Sequence, residues 1–89
     1  MDKFEIILVS QAEKFYKKCP KELAEKLNQC FQGLEENPFF GPGIKVLKTR
    51  EKLYRYRVGS YRVIYEIDKL NKKVGILLIA PRPAAYRNI

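Results

Sequence analysis

The stretch that decides the fold is LYRYRVGSYRVIYEI, residues 53–67. It contains two runs with a period of two, residues 53–58 and 61–67, on either side of Gly59 and Ser60. Alternating runs of this length are typical of β-strands, and a two-residue connection that starts with glycine favours a type II′ turn. The stretch therefore predicts a tight β-hairpin.

The turn determines which residues face one another across the hairpin. Val58 is predicted opposite Tyr61 and Arg57 opposite Arg62, and the pairing continues outward from there. One predicted face carries aromatic and apolar side chains: Tyr54, Tyr56, Val58, Tyr61, Val63 and Tyr65. The other predicted face carries Leu53, Arg55, Arg57, Arg62, Ile64 and Glu66.

The arginines on the second face break a rule of strand pairing. Like charges directly opposite each other destabilise a sheet by a few tenths to about 1 kcal/mol, yet Arg57 is predicted opposite Arg62, with Arg55 beside them. A local cost without a local benefit indicates a functional site. Guanidinium groups on rigid strands can bind phosphate oxygens and stabilise the charge that develops in phosphoryl transfer. The alternative is a solvated face on which Glu66 pairs with one arginine.

Two residues near the C-terminus are placed to join this cluster. Arg82 ends the last predicted strand, and Tyr86 follows it by four residues, on the same side if the tail is helical. Tyr86 is then a candidate for proton transfer. The alternatives are a strand-end arginine and a tyrosine that covers the core.

Upstream of the hairpin the sequence predicts a strand and two helices. Residues 4–9 are rich in apolar and β-branched residues and indicate a first strand that is mostly buried. Ser10 and Glu13 have the spacing of a capping box at the start of a short first helix. Pro20 suits the first turn of a second helix, which residues 37–38 end. The apolar stripe of the second helix predicts an αα-hairpin packed on a sheet.

Downstream of that helical hairpin the chain is mainly extended. Residues 44–47 form a short extended stretch that leads into a basic loop at 48–52. Residues 74–80 are apolar enough for a central strand, and residues 81–89 predict one helical turn. The whole chain, residues 1–89, therefore forms a single α+β domain, consistent with a length of 89 residues and 46% hydrophobic residues.

Charge is distributed unevenly along the chain. Residues 1–36 hold six lysines and seven acids, whereas residues 37–89 hold twelve basic residues and three acids. All the arginines lie in the second part. A surface of arginine and tyrosine favours contact with nucleic acid, and the alternative is a solvated basic face.

Missing residue types narrow the chemistry. The chain has no histidine, no paired carboxylates and no glycine-rich phosphate loop, and Cys19 and Cys30 lack metal-ligand spacing. These features exclude a metal-dependent nuclease and a histidine-pair ribonuclease, and they predict no cofactor and two reduced thiols. RNA cleavage by the substrate's own 2′-hydroxyl remains as the enzymatic reaction. Without a leader or a long apolar run, we expect a cytoplasmic protein with no membrane contact.

The hairpin and its neighbours resemble the RelE/ParE superfamily of bacterial toxins. The resemblance is carried by residues 53–67, by 44–47 before them, and by 76–82 and 86–87 after them. The order of strands and helices extends it over nearly the whole chain. It implies an N-terminal strand, a helical hairpin and a twisted, mainly antiparallel sheet (βααβββ) with a basic concave face, followed by a short C-terminal helical turn.

RelE-type members are ribosome-dependent endoribonucleases that cut messenger RNA in the decoding site. The resemblance therefore implies a metal-independent mRNA interferase that inhibits translation. By position, Arg62 matches the arginine that stabilises the transition state. Arg55 and Arg57 match the basic pair one strand earlier, and Arg82 and Tyr86 match the C-terminal arginine and tyrosine.

Two departures from the family pattern leave the general acid open. The basic pair is often lysine in active relatives, and arginine, with a pKa above about 12, is a poor proton donor. Pro81 stands where many relatives have histidine. Lys45, Lys48 and Lys52 are therefore alternative proton donors as well as predicted RNA-binding residues.

The resemblance also implies a cognate RelB-like antitoxin. Its C-terminal segment would wrap the toxin, cover the basic face and displace the tail, and its other end would bind operator DNA, so that the toxin meets this DNA only through the antitoxin. An acidic or amphipathic segment complements such a face.

Two other functions remain open. One is a ParE-like toxin that inhibits DNA gyrase without cutting RNA, and the other is a nucleic-acid-binding module without activity. The arginine cluster with a nearby tyrosine favours the nuclease, because a gyrase inhibitor has no need of a phosphate clamp.

Overall fold

The predicted hairpin lies in the middle of the structure. The computed structural model describes residues 3–47 and 52–87, with side chains as far as residue 85 in the second range. Within these residues the chain forms five strands and three helices. In chain order they are β1 (Glu5–Leu8), α1 (Ser10–Lys18), α2 (Lys21–Glu36), β2 (Ile44–Leu47), β3 (Leu53–Val58), β4 (Tyr61–Asp68), β5 (Lys73–Pro81) and α3 (Arg82–Arg87).

The strands form one sheet in the order β1-β5-β4-β3-β2. β1 is parallel to β5, whereas the other three neighbouring pairs are antiparallel. This arrangement confirms the predicted α+β fold with a mainly antiparallel sheet. The short extended stretch at residues 44–47 pairs with β3 and becomes the edge strand β2.

The register of the hairpin is the predicted one. Val58 pairs with Tyr61 and Arg57 with Arg62. Gly59 has a φ of 59°. Within the described ranges, φ is otherwise positive at Gly43 and Lys72 alone. Positive φ at the first turn residue but not at Ser60 is the pattern of a type II′ turn, which glycine adopts without steric cost.

The main core lies between the two long helices and the aromatic face of the hairpin. Leu27 and Leu34 of α2 are fully buried there, as is Tyr65 of β4. The Tyr65 hydroxyl donates a hydrogen bond of 2.8 Å to the carbonyl of Pro38, so the buried polar group is satisfied. β5 is central, as predicted, since it lies between β1 and β4.

The first strand differs from the prediction. β1 was expected to be mostly buried, but it lies at the edge of the sheet and is covered on one face only. Ile7 and Val9 are 37% and 40% exposed. The apolar residues at 4–9 indicated burial on both faces of the strand. A parallel edge strand with one face on the core can nevertheless carry apolar residues on its solvent-exposed face.

The predicted capping box is also wrong. Helix α1 begins at Ser10 with Val9 as its N-cap, and no side chain caps it. The Glu13 carboxylate instead accepts a hydrogen bond of 2.9 Å from Lys17, one turn further along. Because Ser10 is already the first helical residue, its hydroxyl is one position too late to act as the cap.

Helix α3 covers part of the opposite face of the sheet. Ala85 is fully buried against Ile64 and Ala80, and Leu47 and Leu53 pack around them. The tail therefore forms the predicted helical turn. Of the helices in the described ranges, none has the length and apolar character needed to cross a membrane.

Candidate active site

Four basic side chains from three neighbouring strands share one face of the sheet. Arg57 on β3 is directly opposite Arg62 on β4, and Arg55 on β3 is directly opposite Lys45 on β2. Directly paired residues project from the same side of a sheet. We call this side, with Lys45, Arg55, Arg57 and Arg62, the arginine face; the helices α1 and α2 pack on the other side.

Arg62 is the most buried member of the arginine face, with only 7% of its surface exposed. Its Nη1 donates hydrogen bonds of 3.0 Å to the Gly59 carbonyl and 2.9 Å to the Tyr61 carbonyl. The hairpin turn thus supplies the acceptors that orient the guanidinium group.

The opposite edge of the same guanidinium group is unused. Nε of Arg62 is buried and has no hydrogen-bond partner, and Nη2 makes no hydrogen bond to the residues that the structure describes. Nε–H and one Nη2–H point in the same direction and form the fork that binds two oxygens of a carboxylate or phosphate. A buried donor without a partner costs about 1–3 kcal/mol, so this edge is suited to an anion.

Arg55 is held by the loop that follows α2. Its Nη1 donates a hydrogen bond of 2.8 Å to the carbonyl of Gly43, which also accepts one of 3.1 Å from the backbone N–H of Arg57. Gly43 has a φ of 89°, and a side chain added there would also meet the backbone of Arg57 at 3.6 Å. The sequence marked this loop only as a turn, although its two glycines around a proline were a signal of a special backbone.

Arg57 and Arg82 are exposed. The backbone N–H of Arg82 donates a hydrogen bond of 3.0 Å to the carbonyl of Ser60, which brings the start of α3 to the hairpin turn. Arg82 is thus near the same end of the hairpin as Arg57 and Arg62.

No acid among the residues that the structure describes neutralises the arginines of this face. Within the described residues, the ion pairs join Lys3 to Glu36 and Lys17 to Glu13. Glu66 lies over Gly75 of β5, with its Cγ and Oε1 3.4 Å from the position of a Cβ there, and it pairs with none of Arg55, Arg57 and Arg62. The alternative in which Glu66 neutralises one arginine is therefore wrong.

Three further residues were predicted to belong to the site: Lys48, Lys52 and Tyr86. Lys52 places its Nζ 5.9 Å from the centre of the Tyr54 ring, which belongs to the aromatic face. Lys48 lies outside the described residues. The backbone of Tyr86 is part of α3, but its side chain lies outside the described residues.

The ionisable groups of the core are not candidates for acid–base chemistry. Burial raises the pKa of the Tyr56 and Tyr65 hydroxyls, and it raises the pKa of the Cys30 thiol to about 12. These groups stay protonated near neutral pH and are poor bases. What the described site can do is bind phosphate and stabilise negative charge.

Comparison with known proteins shows the family to which the chain belongs. Residues 6–86 match the family described as ParE toxin of the type II toxin–antitoxin system parDE. A protein of Methanocaldococcus jannaschii, named putative toxin RelE1, is 30% identical over 88 residues, which cover 97% of this chain and 98% of the relative.

Solved structures share the fold over nearly the full chain. The archaeal RelE–RelB complex from Pyrococcus horikoshii contains a chain with 28% identity and a TM-score of 0.76, covering 90% of this chain and 96% of that one. A chain of the RelBE2 toxin–antitoxin complex from Mycobacterium tuberculosis has 24% identity and a TM-score of 0.74, covering 90% and 99%. On the family match and the identity to RelE1, the chain belongs to the RelE/ParE superfamily and is a RelE-like toxin of a type II toxin–antitoxin system.

Proposed function

We propose that the protein is a metal-independent endoribonuclease that cleaves messenger RNA on the ribosome and so inhibits translation. In this proposal Arg62 stabilises the transition state, and Arg55, Arg57 and Arg82 bind the neighbouring phosphates. Tyr86 is a further catalytic residue. Lys45 contacts RNA from β2, and we retain Lys48 and Lys52 as RNA-binding residues.

The observation that supports this proposal most is the unused edge of Arg62. The turn carbonyls hold Nη1, so the Nε–Nη2 edge has a fixed direction before any ligand arrives. Preorganised donors of this kind stabilise charge without a reorganisation cost during the reaction. The free edge would gain a partner only when an anion binds.

Access to this edge involves α3. Nε is buried, and Arg62 is paired with Ala80, a residue on which Ala85 of α3 packs. In this proposal α3 shifts when a phosphate reaches the Nε–Nη2 edge. Residues 82–87 form one short helix at the end of β5, an element small enough to move without loss of the main core.

The chemistry fits a site that lacks a strong acid or base. The 2′-hydroxyl of the RNA loses its proton to solvent and attacks the adjacent phosphorus, the bond from phosphorus to the 5′-oxygen breaks, and the products are a 2′,3′-cyclic phosphate and a 5′-hydroxyl. The arginines stabilise the extra negative charge on the phosphorane. The ribosome would supply the orientation of the RNA, and Tyr86 or a lysine would supply the proton for the leaving oxygen.

A RelB-type antitoxin is the proposed partner. The relatives from Pyrococcus horikoshii and Mycobacterium tuberculosis are both found in toxin–antitoxin complexes, and the net charge of +8 of this chain suits an acidic segment. In this proposal operator DNA is bound by the antitoxin alone, and the toxin acts in the cytoplasm.

Mapping of 5′ ends of cellular messenger RNA tests the function. Induction of the wild-type chain should produce new ends in phase with codons. Arg62→Ala should abolish these ends, whereas Lys21→Ala, which removes a positive charge from the start of α2, should not. Intact messages together with a DNA-damage response would instead support the gyrase-inhibiting alternative.

A further inference from the structure

Gly43 lies in a tight turn that leads into β2. The backbone N–H of Ile44 donates a hydrogen bond of 3.1 Å to the carbonyl of Gly41. Pro42 occupies the second position of this turn, and Gly43, with a φ of 89°, occupies the third. Proline at the second position and a positive φ at the third are the features of a type II turn, in which glycine or asparagine fills the third position. Residue 43 is therefore restricted by its backbone conformation.

Space does not exclude a side chain at residue 43. A Cβ there would lie 3.6 Å from the carbonyl oxygen of Arg57 and 3.7 Å from its nitrogen, which are ordinary van der Waals distances. A Cβ at Gly41 would lie 3.6 Å from Cδ1 of Ile44, and φ is not positive at Gly41. Alanine therefore fits sterically at both glycines but strains the backbone only at Gly43.

The carbonyl of Gly43 is held in place by β3. It accepts a hydrogen bond of 3.1 Å from the backbone N–H of Arg57. The regular pairing of β2 with β3 ends at Ile44 opposite Tyr56, so this bond continues the pairing by one residue. The carbonyl oxygen thus has a fixed position relative to β3.

The same oxygen holds the side chain of Arg55. Nη1 of Arg55 donates a hydrogen bond of 2.8 Å to it, whereas Nε and Nη2 make no hydrogen bond to the residues that the structure describes. The Nε–Nη2 edge of Arg55 is therefore free, as it is in Arg62. Arg55 is paired with Ile64, so Arg55 and Arg62 are diagonal neighbours, and such positions lie about 7–8 Å apart.

The two oriented arginines are held in the same way. Within the described ranges, Gly43 and Gly59 are the glycines with a positive φ. The carbonyl of Gly59 accepts a hydrogen bond from Arg62, and that of Gly43 accepts one from Arg55. Arg57 is exposed, and its side chain makes no hydrogen bond to the described residues.

We propose that Gly43 is a positioning residue of the RNA-cleaving site. Through its carbonyl it holds Arg55 as a second oriented phosphate fork beside Arg62, and it does so without touching RNA. This inference rests on the proposed function. It separates the two arginines that are fixed before RNA binds from Arg57, which is not fixed.

A double-mutant cycle tests whether Gly43 acts through Arg55. The measurement is single-turnover cleavage of messenger RNA on programmed ribosomes. Gly43→Ala and Arg55→Ala should each lower the rate about tenfold, and the double variant should stay within about twofold of Arg55→Ala. Gly41→Ala, the matched control in the same turn, should stay within about twofold of the wild type. A purely structural role of Gly43 would instead lower the rate of the double variant further.

Asparagine separates the backbone conformation of residue 43 from the presence of a side chain. Gly43→Asn introduces the same Cβ as alanine, but asparagine adopts a positive φ more readily. This variant should therefore cleave within about threefold of the wild type. Circular dichroism checks that each variant is folded.

A second measurement does not depend on cleavage. In ¹⁵N NMR spectra of the free protein, the heteronuclear NOE of the Arg55 Nε–H should be close to that of the backbone amides in the wild type and in Gly41→Ala. It should be clearly lower in Gly43→Ala, in which the guanidinium group loses its acceptor. If Arg55 behaves in this way but the wild type cuts no messenger RNA, the nuclease proposal fails and the positioning role stands.

Any of three results would overturn the proposal. The first is a mobile Arg55 side chain in the wild type, which requires no variant. The second is a further tenfold loss of cleavage when Gly43→Ala is added to Arg55→Ala. The third is a Gly43→Asn variant that is folded but no more active than Gly43→Ala.

Discussion

The two faces of the β3–β4 hairpin come from the same alternating sequence, yet one is packed and the other is charged. On the aromatic face every large side chain has neighbours: Tyr54 stacks on Tyr65 with ring centres 5.4 Å apart, and the Tyr65 hydroxyl is satisfied by Pro38. On the arginine face, Arg57 and Arg62 are paired across the strands with no acid of the described residues to neutralise them. The first face stabilises the fold, and the second is the one that we propose binds RNA.

The same contrast recurs between the two paired arginines. Arg62 is buried and oriented by the turn carbonyls, whereas Arg57 is exposed. A fixed group can contribute to transition-state binding, whereas an exposed one contributes mainly attraction that salt screens. Substitutions on the aromatic face should therefore change mainly the stability, and those on the arginine face mainly the activity. The loss of activity should be larger at Arg62 than at Arg57.

The largest effect on stability is expected at Tyr65. Tyr65→Ala removes a fully buried ring and should lower the free energy of unfolding by about 3–5 kcal/mol. Tyr65→Phe keeps the ring but leaves the Pro38 carbonyl unpaired, so it should lose about 1–3 kcal/mol. Urea unfolding followed by circular dichroism measures both values. A loss below about 1 kcal/mol for the alanine variant would contradict the assignment of the core to this face.

The largest effect on activity is expected at Arg62. Arg62→Ala should reduce cleavage about 10²–10³-fold, the usual effect of removing one preorganised donor. Circular dichroism should show a folded protein, because Arg62 lies outside the main core. Arg62→Lys is the matched control: it keeps the charge but lacks the Nε–Nη2 edge, so it should be nearly as inactive. Wild-type cleavage by the lysine variant would mean that charge alone matters.

At Arg57 we expect a smaller loss of activity together with a gain in stability. Arg57→Ala should lower cleavage by about tenfold, since one exposed charge contributes roughly 1.4 kcal/mol at most to binding. It should also raise the free energy of unfolding by a few tenths to about 1 kcal/mol, because it removes the like-charge pair with Arg62. Thermal unfolding and single-turnover cleavage test the two statements separately. A clear loss of stability would show that the pair is not repulsive.

The smallest effect is a pH dependence of the free energy of unfolding, which arises from Cys30 in the core beneath the aromatic face. Burial raises the pKa of Cys30 from 9.0 to about 12, so the unfolded chain loses this proton at lower pH than the folded chain does. The free energy of unfolding is therefore fully retained below about pH 9 and falls as the pH rises towards 12. In Cys30→Ala the fall between pH 9 and 10 should be shallower, and urea unfolding at a series of pH values measures it. Identical slopes in both proteins would place the thiol in a more open environment.

The hairpin could be predicted from the sequence because residues close together in the chain determine it. A glycine at the start of a two-residue turn and a period of two fix the register without knowledge of the rest of the chain. The placement of Arg57 opposite Arg62 follows directly. The helical stripe ending in Leu34 is equally local, since its period is set by the helix.

What could not be predicted depends on distant contacts. β1 is at the sheet edge because it pairs with β5, some seventy residues later in the chain, and no local pattern contains that choice. In the same way, Lys52 was grouped with the arginines by its charge, although the structure places it beside Tyr54. The carbonyls that hold Arg55 and Arg62 belong to backbone, which carries no side-chain signal in a sequence.

The free edge of Arg62 is tested most directly by following its Nε–H resonance in ¹⁵N NMR spectra. The titrant is an RNA oligonucleotide whose 2′-hydroxyls are methylated, so that it binds but cannot be cleaved. Phosphate binding to the Nε–Nη2 edge should shift the Arg62 Nε–H signal strongly, and the Arg57 signal less. An unchanged Arg62 signal at an RNA concentration that saturates binding would contradict the account, because it would show that the buried edge never meets a phosphate.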